Sequence, residues 1–123
     1  MTVLVFMFII ISILLSVSAQ ILLKHGMSSQ SVVQALSTGP VESVLSIITN
    51  ISVLLGLSAY VASVGFWLIV LSRLEVSKAY PFVGLGFILT MLFAYFFLNE
   101  PITAMKLVGT SFVFLGIILV SMS

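Results

Sequence analysis

The four basic side chains, three glutamates and single histidine of this chain all avoid its four long apolar runs. Lys24, His25 and Glu42 fall between the first run and the second. Arg73, Glu75 and Lys78 fall between the second and the third, and Glu100 and Lys106 bracket the junction of the third and fourth. A charge at the centre of a lipid bilayer is costly, so charges collect at the ends of membrane spans. The pattern predicts an all-α, polytopic membrane protein with four transmembrane helices. Composition points the same way: the 123 residues are 62% hydrophobic and only 6% charged, against roughly 25% charged in a soluble domain. Whatever such a protein handles is reached from the bilayer or moved through it.

Several functions are disfavoured. A net charge of +1 offers no basic face for a nucleic acid. The absence of cysteine removes disulfides and thiolate chemistry, and a lone histidine without cysteine or aspartate makes no metal site. No acid–base pair lies within a span, so neither an enzyme nor a bound cofactor is expected. Ser16, Val17, Ser18 and Ala19 before Gln20 resemble a signal-peptide cleavage site. Met1, Thr2 and Val3 carry no basic residue, however, and the apolar stretch exceeds the roughly 7–15 residues of a signal peptide's apolar core. A retained span is expected, with residues 1–123 forming one domain.

The spans are placed at about 3–23, 42–72, 78–98 and 104–122. Lys24, His25 and Gly26 close the first, with a cation in the last turn and glycine after it. Residues 27–40 are polar, but Val32, Val33 and Leu36 have helical spacing, which leaves open an interfacial helix or an unstructured loop. Gly39 and Pro40 break the chain, and Pro40 and Glu42 suit the first turn of a new helix. The second span is longer than a bilayer requires. Either it tilts or protrudes, or Thr49 and Asn50 mark a bend. A tight turn over 73–77 makes spans two and three antiparallel neighbours. Pro81 falls in the first turn of span three, where a missing N–H costs least, and Gly84 and Gly86 leave room for another helix or a ligand. Thr103 suits the N-cap of span four.

Ser12, Ser16, Gln20 and Lys24 recur every four residues and so share one face of span one. The stripe leads to a cation at the membrane edge. Hydrocarbon cannot satisfy the amide of Gln20, which should face protein, water or a polar ligand. The stripe therefore lines a cavity or bonds a neighbouring helix. On span two, Ser52, Gly56, Ala59 and Ser63 form a row typical of close helix packing. Tyr60 suits a cavity lip and Trp67 an aromatic anchor at the interface. Gly109 and Gly116, a heptad apart on span four, point to a helix contact, including one between subunits. Arg73 and Lys78 mark one membrane edge and Lys24 and Lys106 the other, so the positive-inside rule assigns no orientation. Each cation is either a snorkelling anchor or a phosphate contact.

Phe66-Trp67-Leu68-Ile69-Val70-Leu71, Val76-Ser77-Lys78-Ala79-Tyr80-Pro81, Leu98-Asn99-Glu100-Pro101-Ile102, Lys106-Leu107-Val108-Gly109 and Gly116-Ile117 together resemble the drug/metabolite transporter superfamily in its four-helix form. With Leu15-Ser16-Val17 and residues 20–24, the resemblance is closest to subunits of aminoarabinose-phosphoundecaprenol flippases, with small multidrug resistance transporters as cousins. It covers spans one, three and four and the end of span two. The resemblance implies a dimer, homomeric or with a similar four-helix subunit, in the bacterial inner (plasma) membrane. It implies a polyprenyl-phosphate-linked sugar, or a related lipid-borne anion, as cargo. The cleft between subunits would open sideways, so that the prenyl tail stays in lipid while the head group crosses.

Small multidrug resistance exporters carry a membrane-embedded glutamate on span one where this chain has Ser16, and no other acid lies within a span. That departure favours an anionic head group over a cation. Lys24, Arg73 and Lys78 are the expected phosphate contacts, those on opposite edges acting at different stages. Ser16, Gln20 and Tyr80 are expected at the sugar. Glu100 either pairs with the N-terminal N–H groups of span four or takes a substrate or coupling role. The alternatives are an exporter of small solutes like the multidrug transporters, or a non-transporting accessory subunit of a membrane enzyme.

Overall fold

A computed structural model describes residues 2–123; Met1, which the sequence reading includes in the domain, lies outside them. Helix α1 runs Val3–Met27. It starts where Thr2 Oγ1 accepts the Val5 N–H at 3.3 Å, which satisfies one of the unpaired donors at a helix N-terminus. The helix continues a turn past the expected end, through Lys24, His25 and Gly26. Gly26 does not terminate it. Its bare Cα instead admits the next span, because a Cβ there would lie 2.6 Å from Val53 Cγ2 and 2.8 Å from Asn50 Oδ1.

Two short helices follow, α2 (Gln30–Thr38) and α3 (Pro40–Thr49), and then α4 (Ile51–Leu71). The stretch read as one span over 42–72 is thus two helices separated at Asn50. Asn50 is extended (φ −76°, ψ 123°), and its Oδ1 accepts the Val53 N–H at 3.2 Å. An asparagine that caps the following helix cannot also continue the preceding one. α4 alone has 21 residues, about 31 Å at 1.5 Å per residue, which matches a hydrocarbon core of roughly 30 Å.

The third span is α5 (Val76–Ala79), a 3-10 turn (Tyr80–Phe82) and α6 (Val83–Leu98). Pro81 explains the tight middle. It has no N–H to give to the Ser77 carbonyl, and its ring crowds that carbonyl, so one turn rewinds with shorter bonding. Asn99 then ends α6 in the left-handed region (φ 58°, ψ 30°), which asparagine tolerates better than most residues. Helix α7 spans Ala104–Met122. Thr103 is its N-cap, with Oγ1 accepting the Lys106 N–H at 3.2 Å. Four segments, Val3–Met27, Ile51–Leu71, Val76–Leu98 and Ala104–Met122, are long and apolar enough to cross a membrane. No strand occurs among the described residues.

The packing order is α4, α1, α6, α7. The turn over 73–77 does connect spans two and three, but α4 and α6 are not neighbours along their length, since α1 lies between them. The small row on α4 shows why α1 takes that place. A Cβ on Gly56 would lie 2.9 Å from Leu23 Cγ and 3.1 Å from the Ala19 carbonyl oxygen. Ser12 Oγ donates to the Ser63 carbonyl at 2.8 Å, and His25 Nδ1 and Ser52 Oγ lie 3.1 Å apart. On the other flank of α1, Gly86 meets Ile13 and Val17 at ordinary van der Waals distance. The core cluster is Val5, Ile9, Ile13, Val17, Val70, Ala79, Phe82 and Ile117. Helix α7 packs on α6 and the 3-10 turn, and Gly84 accepts Ile117 and Val113 so closely that a Cβ would lie 2.9 and 3.0 Å from them. Gly109 and Gly116 have nothing within 4 Å of a built Cβ, so within the chain they serve no helix contact.

Two stability outcomes follow from these contacts. Gly56→Val overpacks the α1–α4 seam and should cost about 1–3 kcal/mol in detergent unfolding, whereas Gly65→Val, with nothing within 4 Å, should cost little. Asn50→Ala removes a cap and should cost about 1 kcal/mol. Circular dichroism on heating in one detergent should rank Gly56→Val below Asn50→Ala, and Asn50→Ala below Gly65→Val.

Candidate functional site

Because α1 keeps α4 and α6 apart, a recess forms with α1 as its floor. It holds about 200 Å³ and is lined by Ser12, Ile13 and Ser16 of α1, by Tyr60, Ser63, Val64 and Trp67 of α4, and by Tyr80, Val83 and Gly86 of the third span. That is the room of roughly six or seven liquid waters at about 30 Å³ each, suited to one small polar ring. Each element presents its lining for a local reason. Ser12 and Ser16 are one helical turn apart on α1, and Tyr60, Ser63, Val64 and Trp67 follow at steps of three, one and three on one face of α4. The 3-10 turn at Pro81 sets Tyr80 on the opposite wall.

The polar atoms of the recess differ in availability. Ser12 is buried and committed to the Ser63 carbonyl. Ser63 Oγ donates to the Tyr60 carbonyl of its own helix at 2.7 Å. Ser16 is half-buried and enters none of the side-chain hydrogen bonds among the described residues, so its hydroxyl is free for a ligand. Tyr60 and Tyr80 are exposed and Trp67 is half-buried. Rings with a polar atom at the edge and an apolar face are well suited to a sugar or another ring with mixed faces. No carboxylate lines the recess.

A second hollow of about 360 Å³ lies at the membrane edge where α4 turns into α5. Arg73, Leu74, Glu75, Ser77, Lys78 and Ser123 line it. Arg73 is exposed and Lys78 half-buried. Two cations beside a serine hydroxyl form an anion-favouring setting, tempered by Glu75 in the same wall. The two hollows are next to each other in the chain: Lys78 lines the outer one and Tyr80 the inner one, with Ala79 fully buried between them.

The residues singled out from sequence therefore divide. Ser16 and Tyr80 come together in the recess, and Arg73 and Lys78 come together in the outer hollow. Gln20 lies one turn beyond Ser16 on α1, exposed, and lines neither hollow. Lys24 is exposed at the far end of α1, the length of α4 away from Arg73, about 31 Å. Glu100 is half-buried at that far edge. The cap of α7 there is Thr103, and no side-chain hydrogen bond among the described residues engages the Glu100 carboxylate. Lys106 Nζ donates to the Pro101 carbonyl at 2.9 Å, which ties the α6–α7 connection.

Trp67 and Ser63 are lining residues that sequence reasoning assigned elsewhere. Trp67 reads as a belt anchor from its type and its nearness to a span end. The signal that could have placed it inward was its spacing, seven residues from Tyr60 and four from Ser63, on one helical face. Among the described residues no group of three or more histidine or acidic side chains could hold a metal ion.

Comparison with known proteins is consistent with a chain of apolar spans. The family model described as "EamA-like transporter family" matches residues 1–122. The chain is 34% identical over 118 residues to a probable 4-amino-4-deoxy-L-arabinose-phosphoundecaprenol flippase subunit ArnF of Enterobacter sp. (strain 638), covering 90% of this chain and 89% of that protein. It is also 34% identical over 119 residues to the subunit of the same name from Photorhabdus laumondii subsp. laumondii, covering 91% and 92%. A probable ArnE subunit of that flippase from Serratia proteamaculans (strain 568) is 46% identical over 57 residues, covering 46% of this chain and 50% of that protein. No solved structure matches the chain. These relatives are transporter and flippase subunits rather than enzymes, in accord with the resemblance to the drug/metabolite transporter superfamily. With a family match from end to end and four spans of membrane-crossing length, the chain is a multi-pass membrane protein and belongs to the EamA-like transporter family.

Proposed function

We propose that this protein is a subunit of a flippase that moves a polyprenyl-phosphate-linked sugar, or a related lipid-borne anion, across the bacterial inner membrane. The observation that carries the reading is the pairing of the two hollows. A recess with a free hydroxyl, three aromatic rings and no carboxylate lies two residues along the chain from a hollow where Arg73 and Lys78 outnumber Glu75. A sugar in the recess and its phosphate in the outer hollow fit that pairing. Ser16, Tyr80, Tyr60 and Trp67 contact the ring. Arg73 supplies a planar fork and Lys78 a point charge to the phosphate. The prenyl tail leaves between α4 and α6 and stays in lipid, so the anion alone has to be sheltered from hydrocarbon.

Gln20 and Lys24 serve the opposite half of the crossing, with Glu100 at the same edge. A single phosphate cannot reach Arg73 and Lys24 together across about 31 Å. The cations therefore act at different stages. Gln20 supports a two-subunit assembly. Its amide projects from a spanning helix with no partner among the described residues, and hydrocarbon cannot supply one. A second four-helix subunit, identical or of the kind the Serratia relative represents, would close the open side of the recess and meet Gln20.

Proteoliposomes containing this chain, alone or with such a partner, would test the reading with a fluorescent short-chain polyprenyl phosphosugar. Arg73→Ala with Lys78→Ala should slow flipping roughly ten- to a hundredfold, the equivalent of about 1.5–3 kcal/mol for lost hydrogen bonds to a charged group. It should also flatten the salt dependence. Ser16→Leu and Trp67→Ala should slow the sugar-bearing lipid while sparing the bare polyprenyl phosphate. Wild-type rates in all of these variants would remove the assigned site.

The three rings also favour a second reading, export of a small cation held by cation–π contacts. In that case a quaternary ammonium compound should bind, and Trp67→Ala should abolish the binding. A third reading is an accessory subunit of a membrane enzyme. It is supported if the chain co-purifies with a larger enzyme and flips nothing with any partner.

A further inference from the structure

The hairpin of α2 and α3 has no role in either hollow, yet it is the most strongly two-faced part of the molecule. On α3, Val41, Val44, Leu45 and Ile48 follow the spacing of a single helical face, and they are 67%, 57%, 55% and 54% exposed. Residues 28–50 contain one charge, Glu42, and no basic side chain. At 10 residues, α3 is about 15 Å long, half of what a crossing requires.

The hairpin is nevertheless held firmly. The single Ser43 hydroxyl hydrogen is shared between the Gly39 carbonyl at 2.6 Å and the Ala35 carbonyl at 3.1 Å, which links α3 to α2. Val32 is fully buried. Asn50 Nδ2 donates to Ser29 Oγ at 3.1 Å, and Ser29 Oγ donates to the Gly26 carbonyl at 2.7 Å. These bonds join both ends of the hairpin to one point, where α1 ends and α4 begins. That point is the membrane edge marked by Lys24 and His25.

We infer that the α2–α3 hairpin is a monotopic anchor, lying along this edge with the Val41–Val44–Leu45–Ile48 face sunk among lipid acyl chains. The occupant of that face is lipid because the chain passes straight from it into exposed apolar residues of a membrane span: directly after the extended Asn50 come Ile51 and, one turn on, Leu55 of α4, 67% and 52% exposed. Insertion of apolar area drives the contact rather than attraction to anionic headgroups, since the hairpin carries no cation. The polar bonds around Asn50 hold the angle between α3 and α4, so that one helix lies flat while the other crosses.

The chain contains no cysteine, which allows a direct test on the whole chain. Nitroxides would be attached to Leu45→Cys, Ile48→Cys and Glu42→Cys variants in vesicles of phosphatidylethanolamine and phosphatidylglycerol. Collision rates with oxygen, which partitions into lipid, and with a water-soluble nickel chelate would then be measured. Labels at positions 45 and 48 should meet oxygen several-fold more, and the chelate several-fold less, than the label at 42. A fourth variant, Val41→Cys, repeats the reading on the same face as 45 and 48, so one poorly folded protein does not decide the result. Chelate access at 45 and 48 equal to that at 42 would put the stripe in water and overturn the inference. Protection from both reagents would do so too, by showing that a second copy or another protein covers the face.

Discussion

A hydrocarbon layer offers no hydrogen bonds, so every polar group within a span needs a partner in protein or ligand, and the architecture follows from where those partners are found. Several hydroxyls in the spans turn back on their own helix. Ser58 donates to the Leu54 carbonyl, Ser63 to Tyr60 and Ser111 to Leu107. Such groups add polarity without demanding a neighbour. Ser12 instead reaches across to the Ser63 carbonyl. That bond is compatible only with α1 and α4 in close contact, which Gly56 permits. The seam between these helices displaces α6 to the other flank of α1, and the recess is the space this displacement leaves. Ser16, Ser18, Gln20 and Thr90 enter no side-chain hydrogen bond among the described residues, and of these Ser16 and Gln20 belong to the polar stripe. A serine without a ligand can rotate toward a carbonyl of its own helix, so Ser16 tolerates an empty recess. Gln20 has no equivalent retreat, and its exposed amide is the strongest internal reason to place protein or cargo against that face of α1.

Much of the fold was legible because membrane constraints act on residue types directly. Charges had to fall at the span ends, and Thr103 had a cap's position ahead of an apolar run. Pro81, expected in an undisturbed first turn, instead falls inside the span, because the helix already begins at Val76, and forces a 3-10 turn. Neighbour relations were less legible. The turn over 73–77 joins two span ends and dictates nothing about their full length. The small row on α4 announced a close partner without naming it, because the knobs that fit against Gly56, Leu23 and the Ala19 backbone, are ordinary residues on α1. The break at Asn50 is one of the alternatives the sequence leaves open, beside a tilted or protruding span, and the structure selects it. An asparagine inside an apolar stretch is ambiguous until one knows whether its side chain caps the next turn, and here it also anchors Ser29.

The recess was half legible. Ser16 belonged to a periodic stripe, but Gln20 and Lys24 in the same stripe line neither hollow, because one helical face is longer than one cavity. Trp67 shows the converse failure. An aromatic residue near a span end is usually an interfacial anchor, and only the three-dimensional separation of α4 from α6 makes an inward position available to it. The pairing of Arg73 with Lys78 was foreseeable from the shortness of the turn that carries both. The presence of Ser123 in the same wall depends on how far α7 extends.

On the flippase reading proposed above, the charge layout constrains how a head group can cross. Each edge carries cations, Arg73 and Lys78 on one and Lys24 and Lys106 on the other, while the recess between them lacks any charged group. On the proposed reading an anion meets cations at both ends, offset in part by Glu75 at one edge and by Glu42 and Glu100 at the other, and a neutral, hydrogen-bonding middle. A carboxylate at mid-span would repel it, and a mid-span cation would hold it so well that release became slow. A neutral middle with cations at the edges keeps both ground states alike and leaves the barrier to be lowered by shelter alone. A single chain shelters poorly, since the recess is open where α4 and α6 part. A second subunit closing that side would complete the polar path while the prenyl tail remained in lipid. Assembly and passage then become two aspects of one physical requirement, that the phosphate never face bare hydrocarbon.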